Sequence, residues 1–194
     1  IVCGGAVNSP HLLMLSGIGP ADALRDLGIE VVADRPAVGA NLHDHLIVGL
    51  HYALREPVSL VNADRLGSVL RYLATRRGML ASNIAEAGLF VDTTGGGGVP
   101  DLQYHVAPIL FQGHGLTTPT AHGISIGPPL VRPKSRGRLS LRSAAPSDHP
   151  SIDPQALADP ADLDVLVAGL QLGREIAEAG PLDRFRGEQI GPAP

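Results

Sequence analysis

The sequence predicts an α+β protein: a mostly antiparallel sheet of about five to six strands with helices on one side, preceded by a short strand-to-helix segment. Short apolar segments typical of strands follow one another at 47–54, 85–91, 102–106, 124–131 and 138–141. Two segments with helical spacing lie among and after these strands. The glycine run Gly95–Gly98 is typical of a hairpin connection, which makes the strands that flank it antiparallel.

The first twenty residues predict a short strand and a short helix. Ile1–Cys3 is apolar and is followed by Gly4-Gly5, which predicts a buried strand whose cysteine is a small apolar side chain. Ser9 followed by Pro10 is typical of a helix N-cap and first helical position. Gly17 then predicts the end of this helix.

Residues 20–41 predict a second helix and a second strand. Pro20 precedes a helix over 21–27, and Gly28 is placed to end it in the left-handed conformation that glycine adopts readily. Residues 29–33 are strand-like, and residues 36–41 are rich in turn-forming residues.

Two further helices are predicted from capping residues and spacing. The first is capped by Asn62 or Asp64 and stopped by Gly78. Its apolar residues show the i, i+3, i+4, i+7 spacing of one helix face: Leu66, Val69, Leu70 and Leu73. The second helix has Asp159 as its cap and Pro160 at its first position.

The composition excludes several classes of function. A formal net charge of −4 and an aromatic content of 3% argue against binding to nucleic acid or to a membrane surface. No apolar run approaches the roughly 20 residues that cross a bilayer. The chain has one cysteine, so it cannot form an internal disulfide. This fits a reducing compartment, and we expect a cytoplasmic protein.

Four segments carry recognisable motifs: residues 8–20 (NSPHLLMLSGIGP), 38–45 (VGANLHDH), 134–141 (KSRGRLSL) and 150–154 (PSIDP). Together they resemble the glucose-methanol-choline (GMC) family of flavin alcohol oxidoreductases. The first resembles the second signature of that family, the next its Val-Gly-x-Asn-Leu-x-Asp-His element, and the third its Ser-Arg-Gly strand. The resemblance covers nearly the whole chain.

The resemblance implies an FAD-dependent enzyme, similar to choline dehydrogenase, that oxidises a primary alcohol by proton abstraction and hydride transfer to the flavin. It implies that residues 1–46 are a remnant of the FAD-binding domain, 47–158 a substrate-binding domain, and 159–194 a helix and C-terminal tail of the substrate-binding region. Expected partners are a small alcohol and the remainder of the same polypeptide.

The chain departs from the family in two places. The Gly-x-Gly-x-x-Gly segment that holds the FAD pyrophosphate has no counterpart here, and neither does the segment that carries the catalytic histidine. We therefore assign no catalytic residue and no metal ligand. We expect the chain to be an internal fragment that is colourless and inactive when isolated.

The resemblance makes Gly4, Gly5, Ala6 and Ser9 the candidate cofactor-binding residues. Small residues at a strand end allow the backbone to approach FAD closely. A tight strand-to-helix turn with no contact to a cofactor is the alternative interpretation of the same glycine pair.

Glu86 is the candidate substrate-binding residue. Residues 81–90 (ASNIAEAGLF) resemble the Ser-Asn-x-x-Glu-Ala-Gly-x-Phe stretch of choline dehydrogenases. In choline oxidases the matching glutamate faces the trimethylammonium group of the substrate, whereas Ile84 and Ala85 replace the aromatic residues of that site. Because its neighbours are apolar or small, we expect Glu86 to be partly buried and paired with a cationic ligand or with an arginine.

His43 and His45 allow a metal-dependent hydrolase as a further hypothesis, since alternate residues of a strand share a face. The sequence indicates no third ligand, so a turn fixed by Asn41 and Asp44 is the favoured interpretation. A non-catalytic, stand-alone binding module for small polar or cationic molecules is the alternative function.

Residues 123–127 (GISIG) have the letters of a hydrolase nucleophile elbow. That motif requires a helix directly after the serine, and Pro128-Pro129 forbids one. We therefore interpret Ser125 as an ordinary strand residue.

Overall fold

The computed structural model describes residues 1–192 and, at His114, the backbone alone. Over these residues the helices are α1 (Gly5–Leu15), α2 (Ala21–Asp26), α3 (Leu66–Thr75) and α4 (Pro160–Ala177). The strands are β1 (Ile18–Gly19), β2 (Ala33–Asp34), β3 (Ala40–Leu42), β4 (Leu46–Ile47), β5 (Leu50–Leu54), β6 (Ala87–Val91), β7 (Leu102–Ala107), β8 (Gly123–Gly127), β9 (Pro129–Leu130), β10 (Gly137–Ser140), β11 (Ser151–Asp153) and β12 (Arg186–Gly191).

The chain divides into two compact units, each built from two separate segments. The first unit contains Ile1–Asp44 and Pro133–Asp162, and the second contains His45–Arg132 and the described residues from Leu163 onward. This grouping differs from the contiguous division expected from the sequence. The boundary expected after residue 46 lies two residues from the observed one, but residues 133–158 group with the N-terminal segment.

The first unit contains two small sheets. Strand β10 pairs in antiparallel fashion with β11 on one side and with β3 on the other, and β1 pairs in parallel with β2. Its buried core consists of Met14, Leu24 and Leu139. Residues of β10 are alternately buried and exposed, as expected for a strand with one face on a core, and this places Leu139 inside.

A buried carboxylate fixes the start of helix α4 in the first unit. Asp162 is 2% exposed and accepts hydrogen bonds from the backbone N–H groups of Lys134 (2.7 Å) and Ser135 (2.8 Å) and from the Ser135 hydroxyl (2.5 Å). The Ser135 oxygen in turn accepts a hydrogen bond from the N–H of Asp159 at 3.0 Å. The Lys-Ser pair of the KSRG motif is thus hydrogen-bonded to the first turn of a helix that begins 25 residues after Ser135.

The second unit is built on an antiparallel sheet of seven strands, counted over the described residues. The strand order is β12-β5-β8-β7-β9-β4, with β6 paired to β7. Its core joins the sheet to helix α4 through a cluster of buried residues: Leu50, Tyr52, Tyr104, Ile126 and Ala177. The prediction of a mostly antiparallel sheet is confirmed, and the sheet has one strand more than the upper expected number.

Tyr104 anchors this core. It is fully buried, and its hydroxyl donates a 2.6 Å hydrogen bond to the backbone carbonyl of Gly169 in α4. Burial, with a smaller contribution from the nearby carboxylate of Glu175, raises the pKa of Tyr104 to about 12. The hydroxyl therefore remains a hydrogen-bond donor at every pH at which the protein is handled.

Several local predictions are confirmed. Helix α2 begins after Pro20, and Gly28 follows it with φ +72°. The carboxylate of Asp159 accepts a hydrogen bond from the N–H of Ala161 (2.9 Å), which caps α4 as expected. The glycine run at 95–98 lies in the connection between β6 and β7.

The predictions for the first ten residues are wrong. Ile1–Cys3 has no strand partner within the described residues and is exposed, Cys3 included. Helix α1 begins at Gly5, so Ser9 lies inside the helix and its hydroxyl oxygen accepts the N–H of Gly4 at 3.0 Å. A serine before a proline resembles a cap locally, but the glycine pair starts the helix one turn earlier.

Other differences arise from pairing between distant residues. The segment expected as one strand at 47–54 is split into β4 and β5, and 124–131 is split into β8 and β9. Strands β3, β11 and β12 were not expected. Helix α3 is present, but no side chain caps it, and its predicted apolar face is exposed at Leu66, Leu70 and Leu73. Among the described residues, none of the helices combines the length and the apolar character needed to cross a bilayer.

We predict that Asp162→Asn lowers the free energy of unfolding by about 2 to 3 kcal/mol at neutral pH, because one amide cannot replace a carboxylate that accepts three hydrogen bonds. Asp164→Asn is the matched control, since Asp164 is exposed on the same helix. Urea unfolding of both variants checks this, and equal unfolding midpoints would contradict it.

The same carboxylate predicts a loss of stability in acid. Burial alone would raise the pKa of Asp162, but the hydrogen bonds from Lys134 and Ser135 outweigh burial and hold it below its ordinary value. A depressed folded-state pKa stabilises the fold above the unfolded value of about 3.9 and loses that stabilisation as pH falls through the folded-state pKa. The difference in stability between wild type and Asp162→Asn should therefore shrink below about pH 4.

Candidate functional site

A cavity of about 690 Å³ lies in the second unit on one face of the seven-stranded sheet. We call it the sheet cavity, and its wall consists of Ile47, Gly49, His51, Ile84, Ala85, His105, Ala107, Phe111, Gln112, Gly113, Ser125 and Gly127. Its size falls in the range of small-molecule binding sites, and its wall is mostly apolar with a few polar groups, which is the usual character of such sites.

Strand register brings the polar groups of the sheet cavity together. His51 on β5 is the register partner of Ser125 on β8, and Ser125 is the register partner of Ala107 on β7. His105 on β7 pairs with Gly127 in the same way. Residues paired across neighbouring strands project to the same face of a sheet, so residues more than 70 positions apart line one cavity.

Ser125 is held by three hydrogen bonds and is 6% exposed. Its hydroxyl donates to the carbonyl of Ile109 (2.7 Å), and its oxygen accepts the N–H of Phe111 (2.8 Å). The Nδ1 atom of His51 lies 2.9 Å from the same oxygen. Because the single hydroxyl proton already goes to Ile109, the hydrogen-bond network assigns the proton between the two side chains to His51 Nδ1.

These hydrogen bonds fix the tautomer of the neutral His51 ring. Burial lowers its pKa below the ordinary histidine value. With Nδ1 carrying the proton, Nε2 is left as a hydrogen-bond acceptor. A Cβ atom added at Gly49 would lie 2.8 Å from Cε1 and 3.0 Å from Nε2 of His51, so this edge of the ring rests on the backbone of a residue in the same cavity wall.

The segment around Glu86 contributes to the sheet cavity through its neighbours. Ile84 and Ala85 line the cavity, whereas Glu86 is exposed directly before β6 and is not part of the wall. The expectation that Glu86 is partly buried is wrong. Ile84 adopts φ +75°, a conformation that is rare for a β-branched residue and that concentrates at functional sites.

A second cavity, of about 420 Å³, lies in the first unit beside the beginning of helix α1. We call it the helix cavity. Two of the four candidate cofactor-binding residues, Ala6 and Ser9, line it. Gly4 directly precedes α1, and Gly5 is its first residue, with φ +73°. The segment 37–43, which contains the first six residues of the VGANLHDH motif, forms much of the remaining wall.

The residues behind the two hydrolase hypotheses, His43 with His45 and Ser125, lie in three different places. His43 lines the helix cavity and His45 is exposed in the second unit. The described side chains, which leave out His114, include no cluster of three or more His, Cys, Asp or Glu residues placed to hold a metal ion. Ser125 lies inside strand β8 and is followed by β9, with no helix after it, which confirms its interpretation as a strand residue.

Sequence reasoning missed His51. The residue occurs in an apolar strand, LHYAL, where a single histidine gives no local signal. Only the pairing of β5 with β8 shows that it meets Ser125. Sequence reasoning placed the region from His105 to His122 near the substrate side of the flavin pocket, but it did not single out Phe111, which follows β7 in an irregular segment and lines the sheet cavity.

Comparison with known proteins gives matches at both ends of the chain. Two family models, both described as GMC oxidoreductase, match residues 1–47 and residues 133–194, together more than half of the chain. These segments contain the four motifs that carry the resemblance.

Curated relatives match along almost the entire chain. An uncharacterised GMC-type oxidoreductase of Mycobacterium tuberculosis is 44% identical over 99% of this chain and 37% of its own length. An alcohol dehydrogenase [acceptor] of Pseudomonas putida is 40% identical over 98% of this chain and 35% of its own. An oxygen-dependent choline dehydrogenase of Burkholderia cenocepacia is 39% identical over 99% and 35%. The chain thus spans little more than a third of these relatives.

A solved structure shares the fold. Pyridoxine 4-oxidase from Mesorbium loti aligns with a TM-score of 0.80 and 26% sequence identity. The alignment covers 99% of this chain and 35% of the oxidase.

We predict that the ring of His51 titrates at a lower pH than an ordinary histidine, whose pKa is about 6.5. A lowered folded-state pKa means that the unfolded chain binds the proton more readily, so the fold should lose stability as pH falls from about 6.5 towards the folded-state value. Histidine-ring NMR spectra across pH, assigned by the signal that His51→Gln removes, measure this. A midpoint at or above the ordinary value would contradict the burial of a neutral ring.

Proposed function

Because this chain belongs to the GMC oxidoreductase family, we propose that the protein containing it is an FAD-dependent alcohol dehydrogenase or oxidase. In this proposal the first unit contributes to the cofactor side of the enzyme and the second unit binds the alcohol. The chain supplies mainly the substrate-binding part, and the remainder of the polypeptide supplies the catalytic histidine.

The sheet cavity is the observation that carries the proposed role of the second unit. It offers an alcohol an apolar wall and a neutral imidazole at His51, fixed by Ser125. Two relatives are named for alcohol and choline dehydrogenation, which supports a small alcohol as the substrate. FAD supplies the acceptor for the hydride that leaves the alcohol carbon.

The residues at the beginning of α1 fit a role in holding FAD. The first N–H groups of a helix have no acceptor within the helix, and the positive end of its dipole favours the anionic groups of a dinucleotide. A Cβ atom built at Gly5 would meet no protein atom within 4 Å, so the backbone there is open to a ligand. We propose that Gly4, Gly5, Ala6 and Ser9 contact the cofactor.

Gly5→Ala in the full-length protein tests this role, with Gly28→Ala as the control. Both glycines are exposed, have φ near +70° and leave an added Cβ without neighbours, so each substitution should cost about 1 kcal/mol of stability. Only Gly5→Ala should also weaken FAD binding, by about tenfold, which corresponds to 1.4 kcal/mol. The measurement is bound flavin per protein, from visible absorbance after dialysis at controlled FAD concentration.

Equal flavin content in the two variants would remove Gly5 from the cofactor site. A full-length wild-type protein that never binds flavin would favour the stand-alone binding module instead.

A cationic alcohol such as choline is the second candidate substrate, favoured by the position of Glu86 one residue from Ala85 in the cavity wall. If Glu86 contacts the cation, Glu86→Gln should raise the KM for choline about tenfold, as expected for a lost charge interaction of about 1.4 kcal/mol. The KM for an uncharged primary alcohol should not change. Steady-state kinetics with both substrates decide, and unchanged values for both would exclude Glu86 from the site.

A further inference from the structure

We propose that His51 is the positioning residue that accepts a hydrogen bond from the substrate hydroxyl, and that the sheet cavity takes primary alcohols with an uncharged, apolar body. This inference rests on the proposed function, because it assumes that the sheet cavity is the alcohol site. It goes further in naming the group that orients the hydroxyl and the class of alcohol that the cavity accepts.

The neighbours of His51 determine which of its ring nitrogens donates a hydrogen bond and which accepts one. The Ser125 oxygen accepts a hydrogen bond from the Phe111 N–H, and the Ser125 hydroxyl donates its hydrogen bond to the Ile109 carbonyl. Towards His51 the oxygen therefore acts as a hydrogen-bond acceptor. Rotation of the ring about its axis would replace Nδ1 by a carbon and leave this bond unmade. The hydrogen bond to Ser125 therefore keeps Nε2 unprotonated and available to accept a hydrogen bond from a hydroxyl.

The position of His51 suits a group that meets a ligand. The ring lies against the backbone of Gly49, where any side chain would collide with Cε1 and Nε2. Both residues line the sheet cavity. The glycine between β4 and β5 leaves room for the imidazole ring in the cavity wall.

The rest of the wall favours an uncharged body on the alcohol. The large apolar side chains of the wall are Ile47, Ile84 and Phe111. About half of the surface of each is exposed and can contact a ligand. Among the described side chains, the wall contains no carboxylate, and its titratable members are His51 and His105. A quaternary ammonium group requires an anion or several aromatic faces, and one phenylalanine does not form such a cage.

Ile84 gives independent support for a ligand at this wall. Its φ of +75° is unfavourable for a β-branched residue, and its N–H is fixed by the Ser82 hydroxyl at 3.0 Å. Glycine or asparagine would adopt this conformation more readily, but neither would give the cavity an apolar side chain. Isoleucine at this position offers apolar contact to a ligand in the cavity.

The test is direct binding, measured by calorimetry or ligand-observed NMR on the full-length protein. Benzyl alcohol and toluene form a matched pair of probes that differ by the hydroxymethyl group, and choline is the charged comparison. His51→Leu should weaken benzyl alcohol about tenfold, the effect of one lost hydrogen bond, and should leave toluene binding within about twofold. His51→Gln keeps an acceptor close to the place of Nε2 and should restore most of the affinity for benzyl alcohol.

Three results would overturn the inference: equal losses for benzyl alcohol and toluene in His51→Leu, no recovery in His51→Gln when that variant is folded, or tighter binding of choline than of benzyl alcohol by the wild type. A leucine variant that fails to fold leaves the glutamine variant and the wild-type ranking of the three probes as the test. Binding requires no turnover. A protein that binds alcohols through His51 without oxidising them would refute the proposed function and support this inference.

Discussion

The carboxylate of Asp162 is the interaction on which much of this structure depends. Buried charges are costly unless every lone pair finds a donor, and here two backbone N–H groups and one hydroxyl fill that role. The bond to Ser135 fixes the residues just before β10, and β10 is the central strand that pairs with both β11 and β3. The same carboxylate belongs to the first turn of α4, whose last residue, Ala177, lies in the core of the second unit. The KSRG motif and an 18-residue helix therefore have one common anchor.

Features that depend on neighbouring residues could be predicted, and features that depend on pairing could not. The cap at Asp159, the helix end at Gly28 and the hairpin around 95–98 follow from the local backbone preferences of aspartate and glycine. The sequence of strand β12 is polar and is typical of an irregular C-terminal segment. It forms a strand because it pairs with β5, which lies more than 130 residues earlier. Ile1–Cys3 shows the reverse: its residues favour a strand, but no partner lies beside them within the described chain.

The candidate site likewise contains residues that sequence motifs indicated and residues that only strand pairing reveals. The resemblance pointed to the 81–90 segment, and Ile84 and Ala85 do line the sheet cavity, but Glu86 is exposed and is not part of its wall. His51 carries no motif. Its role follows from the meeting of two strands and from the three hydrogen bonds at Ser125, which also explain why a GISIG pentapeptide in this chain is a structural element and not a nucleophile.

The division of each unit into two segments has a consequence for synthesis on the ribosome. Residues 1–44 leave the exit tunnel before the strand that organises their unit, β10, which follows almost a hundred residues later. During that interval strand β3 lacks its pairing partner β10, and Met14 of helix α1 lacks its core contact with Leu139, while residues 45–132 emerge. Folding of the first unit is thus timed by translation of the KSRG segment.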